Sequence, residues 1–259
     1  MIAFFTALND SFMPGMRALL KSLLQNNSWF NADFLILSDG NLSQESKEEL
    51  HRLYNKIKII DVRKEDYMKC KDTIDNWNFN LFYRFDVFEL SHLNYDKIVM
   101  MDTDMLVLKD IKDLLQFNCD FAACRKCPDL MPELGNLNNN FFNCGLMVLS
   151  KEIIDKQHKT NLINMAKEKN WSSDQPLFNL YFRNKVVFLP QKFNTVSSGV
   201  TKQTLNDVSI LHFHGDLKPW MHLNAQDCFK PFVSTLLTRA GEDSDEMINI
   251  LKNLYEDYR

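Results

Sequence analysis

Ile98-Val99-Met100-Met101-Asp102-Thr103-Asp104-Met105-Leu106-Val107-Leu108 joins an apolar run, two carboxylates spaced one apart, and a second apolar run. The first run reads as a strand buried on both faces, so the acids stand where that strand ends. Carboxylates spaced this way form a hard-oxygen clamp for Mg²⁺ or Mn²⁺, ions that keep open positions for phosphate oxygens. The stretch therefore points to a ligand carrying a diphosphate. On residue types alone, a solvated Asp-x-Asp turn is the other reading of the same letters.

Outward from this stretch, strands alternate with helices. Residues 2–8 read as a first buried strand, with Asn9-Asp10-Ser11 capping a helix that carries Met16, Leu19, Leu20, Leu23 and Leu24 at helical spacing. Phe34 to Ser38 is the next strand, ended by Asp39-Gly40. Ser43 is placed to cap a helix running to about Tyr54, although Ser46 at the third position leaves the reciprocal capping box incomplete. Strands follow at 57–62 and 97–101, with helical character near 80–93 between them. Further on come a strand at 142–149, a helix at 153–169, and strands at 186–189 and 209–213. Beyond Trp220 the chain is amphipathic and partly acidic, with a helix from about Asp245. The pattern predicts an α/β fold, a mostly parallel sheet with helices on both faces, in which ligands collect at the carboxyl ends of the strands. No G-x-G-x-x-G follows the first strand, so the dinucleotide fingerprint is absent. The Pro- and Asn-rich stretch 127–140 reads as a long loop, either a substrate lid or a disordered segment.

With 259 residues, 45% hydrophobic and 25% charged, the chain has core-forming side chains enough for one large domain with a small appendage. A net charge of −4 and a pI near 5.9 argue against a general affinity for nucleic acid. The opening residues lack a basic, apolar leader, and no stretch has the length to span a bilayer. Six cysteines show no disulfide rhythm; Cys124 and Cys127 match C-x-x-C without a second pair to complete a zinc site. Free thiols and a cytoplasmic location are the expectation.

Several separated residues add chemistry. His212 closes an apolar strand ahead of Gly215, Lys218, Pro219 and Trp220; an imidazole beside two carboxylates suits Mn²⁺, and Lys218 offers a point charge for phosphate. His214 competes for the same role. Asn143, Asp174 and Gln175 carry the paired donors and acceptors that sugar hydroxyls need, or serve as turns and caps. Arg84 lies among aromatic neighbours on a helical stretch, where a surface ion pair is the plainer reading.

Taken in order, the segments Thr6-Ala7-Leu8-Asn9-Asp10-Ser11-Phe12, Tyr83-Arg84, Asp102-Thr103-Asp104, Phe142-Asn143-Cys144-Gly145, Asp174-Gln175 and His212-Phe213-His214-Gly215-Asp216-Leu217-Lys218-Pro219-Trp220 resemble a known family. It is family eight of the retaining glycosyltransferases, which includes glycogenin-like enzymes and bacterial lipopolysaccharide galactosyl- and glucosyltransferases. The H-x-x-G-x-x-K-P-W segment is the most specific of these, and the resemblance covers residues 1 to about 220. One departure is Pro176, where many relatives carry an acid after the Gln. The strongly basic, aromatic tail by which some relatives touch membranes is also missing, so at most a peripheral membrane association is expected.

The resemblance implies a GT-A fold over residues 1–220 with a helical extension over 221–259, a UDP-sugar donor, and Mn²⁺, or Mg²⁺ in its place, held by Asp102, Asp104 and His212. Gly215 and Lys218 would meet the diphosphate. Thr6, Ala7, Leu8, Asn9 and Phe12 would line the uridine pocket, with Asp102 and the Thr103 backbone reaching ribose or base. Arg84, Asn143, Cys144, Gly145, Asp174 and Gln175 would surround the donor sugar, with Asp174 and Gln175 nearest the chemistry. The implied activity is a retaining transfer of galactose or glucose to a glycan, lipopolysaccharide or other saccharide acceptor. Gln175 is a poor nucleophile, which favours attack by the acceptor on the face from which UDP departs. Two other readings are a haloacid-dehalogenase-like phosphatase built on the Asp102/Asp104 pair and a nucleotide-sugar-binding protein without turnover.

Overall fold

The structure is a computed structural model that describes residues 1–67, 70, 79–126, 141–168, 171, 173–215, 218–220 and 244–259. The expected loop at 127–140, the Asp216-Leu217 part of the last motif and most of the expected 221–259 extension lie outside the described residues.

Seven strands form the main sheet: β1 (Ile2–Ala7), β2 (Asp33–Ser38), β3 (Ile57–Asp61), β4 (Lys97–Met101), β6 (Phe121–Arg125), β7 (Phe142–Ser150) and β8 (Val186–Leu189). Their spatial order is β3-β2-β1-β4-β7-β6-β8. Alternate residues of the central strands face opposite layers. Ala3, Phe5, Ile98 and Met100 join one buried cluster; Phe4, Val99 and Met101 join the other. That two-sided burial is why the strands read as continuous apolar runs. Helices α1 (Met13–Asn26) and α2 (Gln44–Leu53) cover the second cluster, and α3 (Lys156–Ala166) and α4 (Asp174–Phe182) the first. Ser43 caps α2 as expected, accepting from the Ser46 N–H.

The structure corrects the sequence reading in four places. Within the expected mostly parallel sheet, β7 runs antiparallel to both β4 and β6, and β6 was not expected as a strand. Its five residues are too few for periodicity to separate strand from loop. Second, the last expected strand does not join the main sheet. It is β10 (Ile210–His212), which forms a small sheet with β5 (Met105–Val107) and β9 (Thr195–Val196). Third, the helical stretch near 80–93 is a run of tight 3-10 turns, Phe79–Leu93. Its aromatic side chains pack inward from several turns, Phe82, Phe85 and Phe88 among them, and that packing overrides the weak α-propensity of the segment. Fourth, α3 starts only at Lys156, because Asp155 is extended and caps it by accepting from the Gln157 N–H.

The short helix α5 (Lys202–Leu205) leads into β10, and the helix α6 (Ser244–Glu256) carries the last described elements. Met247, Leu251 and Tyr255 of α6 share a buried cluster with Ala18 of α1, Leu106 of β5, Leu211 and Phe213. This helix therefore packs onto α1 and the small sheet. Among the described residues no helix is long and apolar enough to cross a membrane.

Candidate active site

Backbone register does most of the assembly. β4 lies between β1 and β7, and immediately past its end the Asp102 N–H donates to the Gly145 carbonyl at 2.8 Å. Just beyond the acid pair β5 begins, and its antiparallel pairing with β10 sets His212 opposite Met105. The Phe213 N–H donates to the Asp104 carbonyl at 2.9 Å, which locks that alignment. His212 Nε2 consequently sits 3.3 Å from Asp104 Oδ1 and 3.7 Å from Asp102 Oδ2. Ligand atoms of all three residues fall within 4.8 Å of one another. Two hard carboxylates and one imidazole make a donor set that fits Mn²⁺, which accepts mixed oxygen and nitrogen ligation.

Charged neighbours surround this set. Arg84 bridges two carboxylates, its Nη2 2.5 Å from Asp102 Oδ1 and its Nη1 3.1 Å from Asp174 Oδ2. Lys218 donates to Asp104 Oδ2 and to the Phe213 carbonyl. Burial pushes the Asp104 carboxyl upward, but Lys218 and His212 outweigh it and hold the group well below the usual carboxylate range. Asp102 moves the other way: burial, reinforced by Asp104, exceeds the lowering effect of Arg84. Burial also raises Asp174 against the pull of Arg84. The Arg84 guanidinium is buried too, and Asp102 and Asp174 more than offset the cost of burying its charge. Burial, followed by the neighbouring His212, lowers His214 to about 3, which keeps its ring neutral.

Behind the charged groups lies a layer of amides. Helix α4 presents Gln175 and Asn179 one turn apart toward the start of β7. Gln175 Oε1 accepts the Cys144 N–H at 3.0 Å, and Asn179 pairs with both the N–H and the carbonyl of Phe142. Pro176 falls in the first turn of α4, where its missing N–H costs no helical hydrogen bond. Asn143 Oδ1 accepts from the Gly145 N–H at 2.7 Å and from Asn194 Nδ2 at 2.9 Å. Gly145 permits a close approach: a Cβ there would lie 2.4 Å from His212 Cε1. Thus Asn143, Gly145 and Gln175, expected around the donor sugar, also have polar atoms or backbone committed to the scaffold that holds Asp102 and His212. Cys144 is buried, and its thiol is raised well above the ordinary value by burial, which makes it inert as a nucleophile.

On the β1 side, Thr6 and Leu8 are buried, while Ala7, Asn9 and Phe12 are partly exposed. Asn9 Oδ1 accepts from the Ser11 N–H and hydroxyl, so its oxygen serves the turn into α1. Phe12 meets Trp220 edge-on, with ring centroids 6.0 Å apart. Gly15 completes the wall, since a Cβ there would stand 2.6 Å from the Thr103 carbonyl and 2.4 Å from the Trp220 ring. Gly215 adopts a φ of 121°, the left-handed region that favours glycine.

Asn179, Asn194 and Gly15 were not legible as site residues. Nothing local marks them, because their partners lie 37, 51 and more than 80 residues away in the chain. A second group of acids, Asp66, Asp86 and Glu89, also lies close together, but the buried Lys159 ammonium binds all three.

The chain aligns with "Lipopolysaccharide 1,2-glucosyltransferase" of Escherichia coli K12 at 24% identity, over 81% of this chain and 70% of the relative. It aligns with glycogenin of Neurospora crassa at 28% identity, over 85% of this chain and 31% of the relative. Among solved structures, galactosyltransferase LgtC in complex with donor and acceptor sugar analogs superposes with a TM-score of 0.69 at 19% identity, covering 93% of this chain and 95% of LgtC. Glycosyltransferase GlyE of Streptococcus pneumoniae superposes with a TM-score of 0.62 at 17% identity, over 98% of this chain and 64% of GlyE. The shared architecture is the expected GT-A fold, and nothing in these relatives supports the phosphatase reading. The sequence profile of glycosyl transferase family 8 matches residues 3–224, and the chain belongs to that family.

Proposed function

We propose that this protein is a metal-dependent retaining hexosyltransferase that moves galactose or glucose from a UDP-sugar to a saccharide acceptor. The observation that carries this reading is the convergence of Asp102, Asp104 and His212 at the carboxyl end of β4, with Arg84 and Lys218 bonded to the two acids. The family membership and the sugar analogs bound by LgtC support it. Mn²⁺, or Mg²⁺, would be held by Asp102, Asp104 and His212, and when bound it neutralises charge on the departing diphosphate.

The chain's own residues do the rest. Lys218, tethered beside Asp104, adds a second positive charge where the β-phosphate leaves. Arg84 holds Asp102 and Asp174 at fixed positions, so Asp174 orients hydroxyls rather than attacking carbon. Gln175 offers an amide whose oxygen already accepts the Cys144 N–H, a poor nucleophile by chemistry and by position. Retention is what the family resemblance implies, and without a protein nucleophile it favours attack by the acceptor on the face from which UDP departs. Phe12 and Trp220 supply aromatic surface on the nucleotide side. A cytoplasmic protein, at most peripherally associated with a membrane, fits the unbridged thiols Cys119, Cys124 and Cys144.

A donor screen read as UDP release with Mn²⁺ present tests the proposal. Release of UDP from one UDP-hexose, increased by a saccharide acceptor, is the expected result. Tight donor binding with no UDP release would identify a binding protein and overturn the proposed activity.

A further inference from the structure

Asn194 lies in the bend between the short turn Gln191–Phe193 and β9, fully buried, and none of the expected site residues is its sequence neighbour. Its two side-chain atoms have different partners. One is 2.9 Å from His212 Nδ1 and the other 2.9 Å from Asn143 Oδ1. Amide oxygens and nitrogens, and imidazole tautomers, are normally assigned by optimising a network, but this network contains a fixed point. The Gly145 backbone N–H can only donate, and it donates to Asn143 at 2.7 Å. The Asn143 atom it meets must therefore be the oxygen. Asn194 presents its NH₂ to that same oxygen, so its own oxygen faces His212. An oxygen accepts only, so His212 Nδ1 must carry the hydrogen. In the neutral ring the other nitrogen, Nε2, then carries the lone pair, and it faces Asp102 and Asp104 at 3.7 and 3.3 Å.

We infer that Asn194 is a positioning residue that fixes the Nδ1–H tautomer and the ring plane of His212, so that Nε2 is the atom offered to a divalent cation. The signal that sets the tautomer originates in the Gly145 peptide. Its N–H orients Asn143, and through Asn143 and Asn194 it orients His212. Its carbonyl accepts the Asp102 N–H, and its lack of a Cβ lets the His212 ring lie against it. One glycine of β7 thus registers a carboxylate from β4 and an imidazole from the separate small sheet. Groups that orient a metal-binding histidine in this way typically change metal affinity about 10–100-fold when removed.

The inference rests on the metal site proposed above, and two measurements separate its failure from that of the site. The first is free of both metal and substitution: nitrogen-15 NMR of the His212 ring, at a pH where the ring's own titration shows it neutral. A hydrogen on Nδ1 is expected; a hydrogen on Nε2 overturns the inference whether or not a metal binds. The second is a Mn²⁺ titration followed by electron paramagnetic resonance of the free ion, using folded protein without donor. Asn194→Ala should weaken Mn²⁺ binding about tenfold or more. In a His212→Ala background the same Asn194→Ala change should cause little further loss, because its effect runs through the ring. Unchanged affinity in Asn194→Ala, or an equal further loss in the His212→Ala background, would show that Asn194 does not act through His212. A wild-type protein that binds no Mn²⁺ would sink the metal site, with the tautomer measurement still deciding the role of Asn194.

Discussion

Asp104 is buried with the Lys218 ammonium on one of its oxygens, and its carboxyl is held well below the usual carboxylate range. Replacing one oxygen by an amide removes that charge without changing volume, so Asp104→Asn should lose activity by orders of magnitude; it also leaves the Lys218 ammonium without its carboxylate, so the denaturant midpoint should fall while the protein stays folded in buffer. The two histidines separate ligand from neighbour. His212→Ala should raise the Mn²⁺ concentration for half-maximal activity at least tenfold, by analogy with the effect of removing supporting groups. His214→Ala should raise it much less, because it is His212, set opposite Met105 by the strand register, whose Nε2 lies 3.3 Å from Asp104. A reversed order would place the motif two residues off. Gly145→Ala introduces a methyl 2.4 Å from the His212 ring and 2.8 Å from Asn143 Oδ1. Overpacking of that kind costs about 1–3 kcal/mol, measurable by chemical denaturation, with a loss of Mn²⁺ affinity in the same protein.

At the scale of elements, two contacts hold the layers that carry the site. Lys159 of α3 is buried and reaches Asp66 at 2.8 Å, Glu89 at 3.0 Å, and Asp86. It ties α3 to the 3-10 run that delivers Arg84. Lys159→Met leaves a buried carboxylate without its cation and should destabilise the protein by about 3–5 kcal/mol at neutral pH. The sign of the pH dependence follows from Asp86, whose carboxyl is raised by burial despite Lys159 and Tyr67. A raised acid is penalised as pH climbs through its folded value, so protonation relieves the variant as pH falls. The deficit should narrow toward about pH 4, as followed by urea unfolding at several pH values. Helix α1 makes the second contact, through Gly15. A Cβ would press on the Thr103 carbonyl, which belongs to backbone and cannot swing aside. Gly15→Ala should therefore push α1 from the Asp102–Asp104 turn and raise the KM for donor more than it lowers kcat.

For the whole molecule, the proposed activity depends on a cation at the convergence of two sheets. Activity should vanish in EDTA and return with Mn²⁺ better than with Ca²⁺, because the site offers few protein ligands and includes an imidazole. Full activity in EDTA would refute the proposed metal dependence. The product of a retaining transfer should keep the donor's α configuration, read by proton NMR of the first-formed product. Gln175→Ala should slow transfer without abolishing it, and Asp174→Ala should be the more damaging because it also releases Arg84. A β-linked product, or a glycosyl adduct trapped on either residue, would overturn same-face attack.

The sequence by itself determined the elements with strong local signals. The apolar runs of β1, β2, β4 and β7, the Ser43 cap, and the carboxylate pair at the end of β4 all carry their chemistry within a few residues. It also determined the family, whose profile matches residues 3–224 and so spans the ordered motifs from Thr6 to Trp220. Only the tertiary structure decided that β10 leaves the main sheet for β5, that β7 runs antiparallel, and that residues 79–93 form tight turns. Those outcomes depend on long-range pairing and aromatic packing, which overrule local propensity. The same holds for Gly15, Asn179 and Asn194. Each matters through a partner distant in the chain, and a hydrogen bond between distant residues leaves no trace in the spacing of either one.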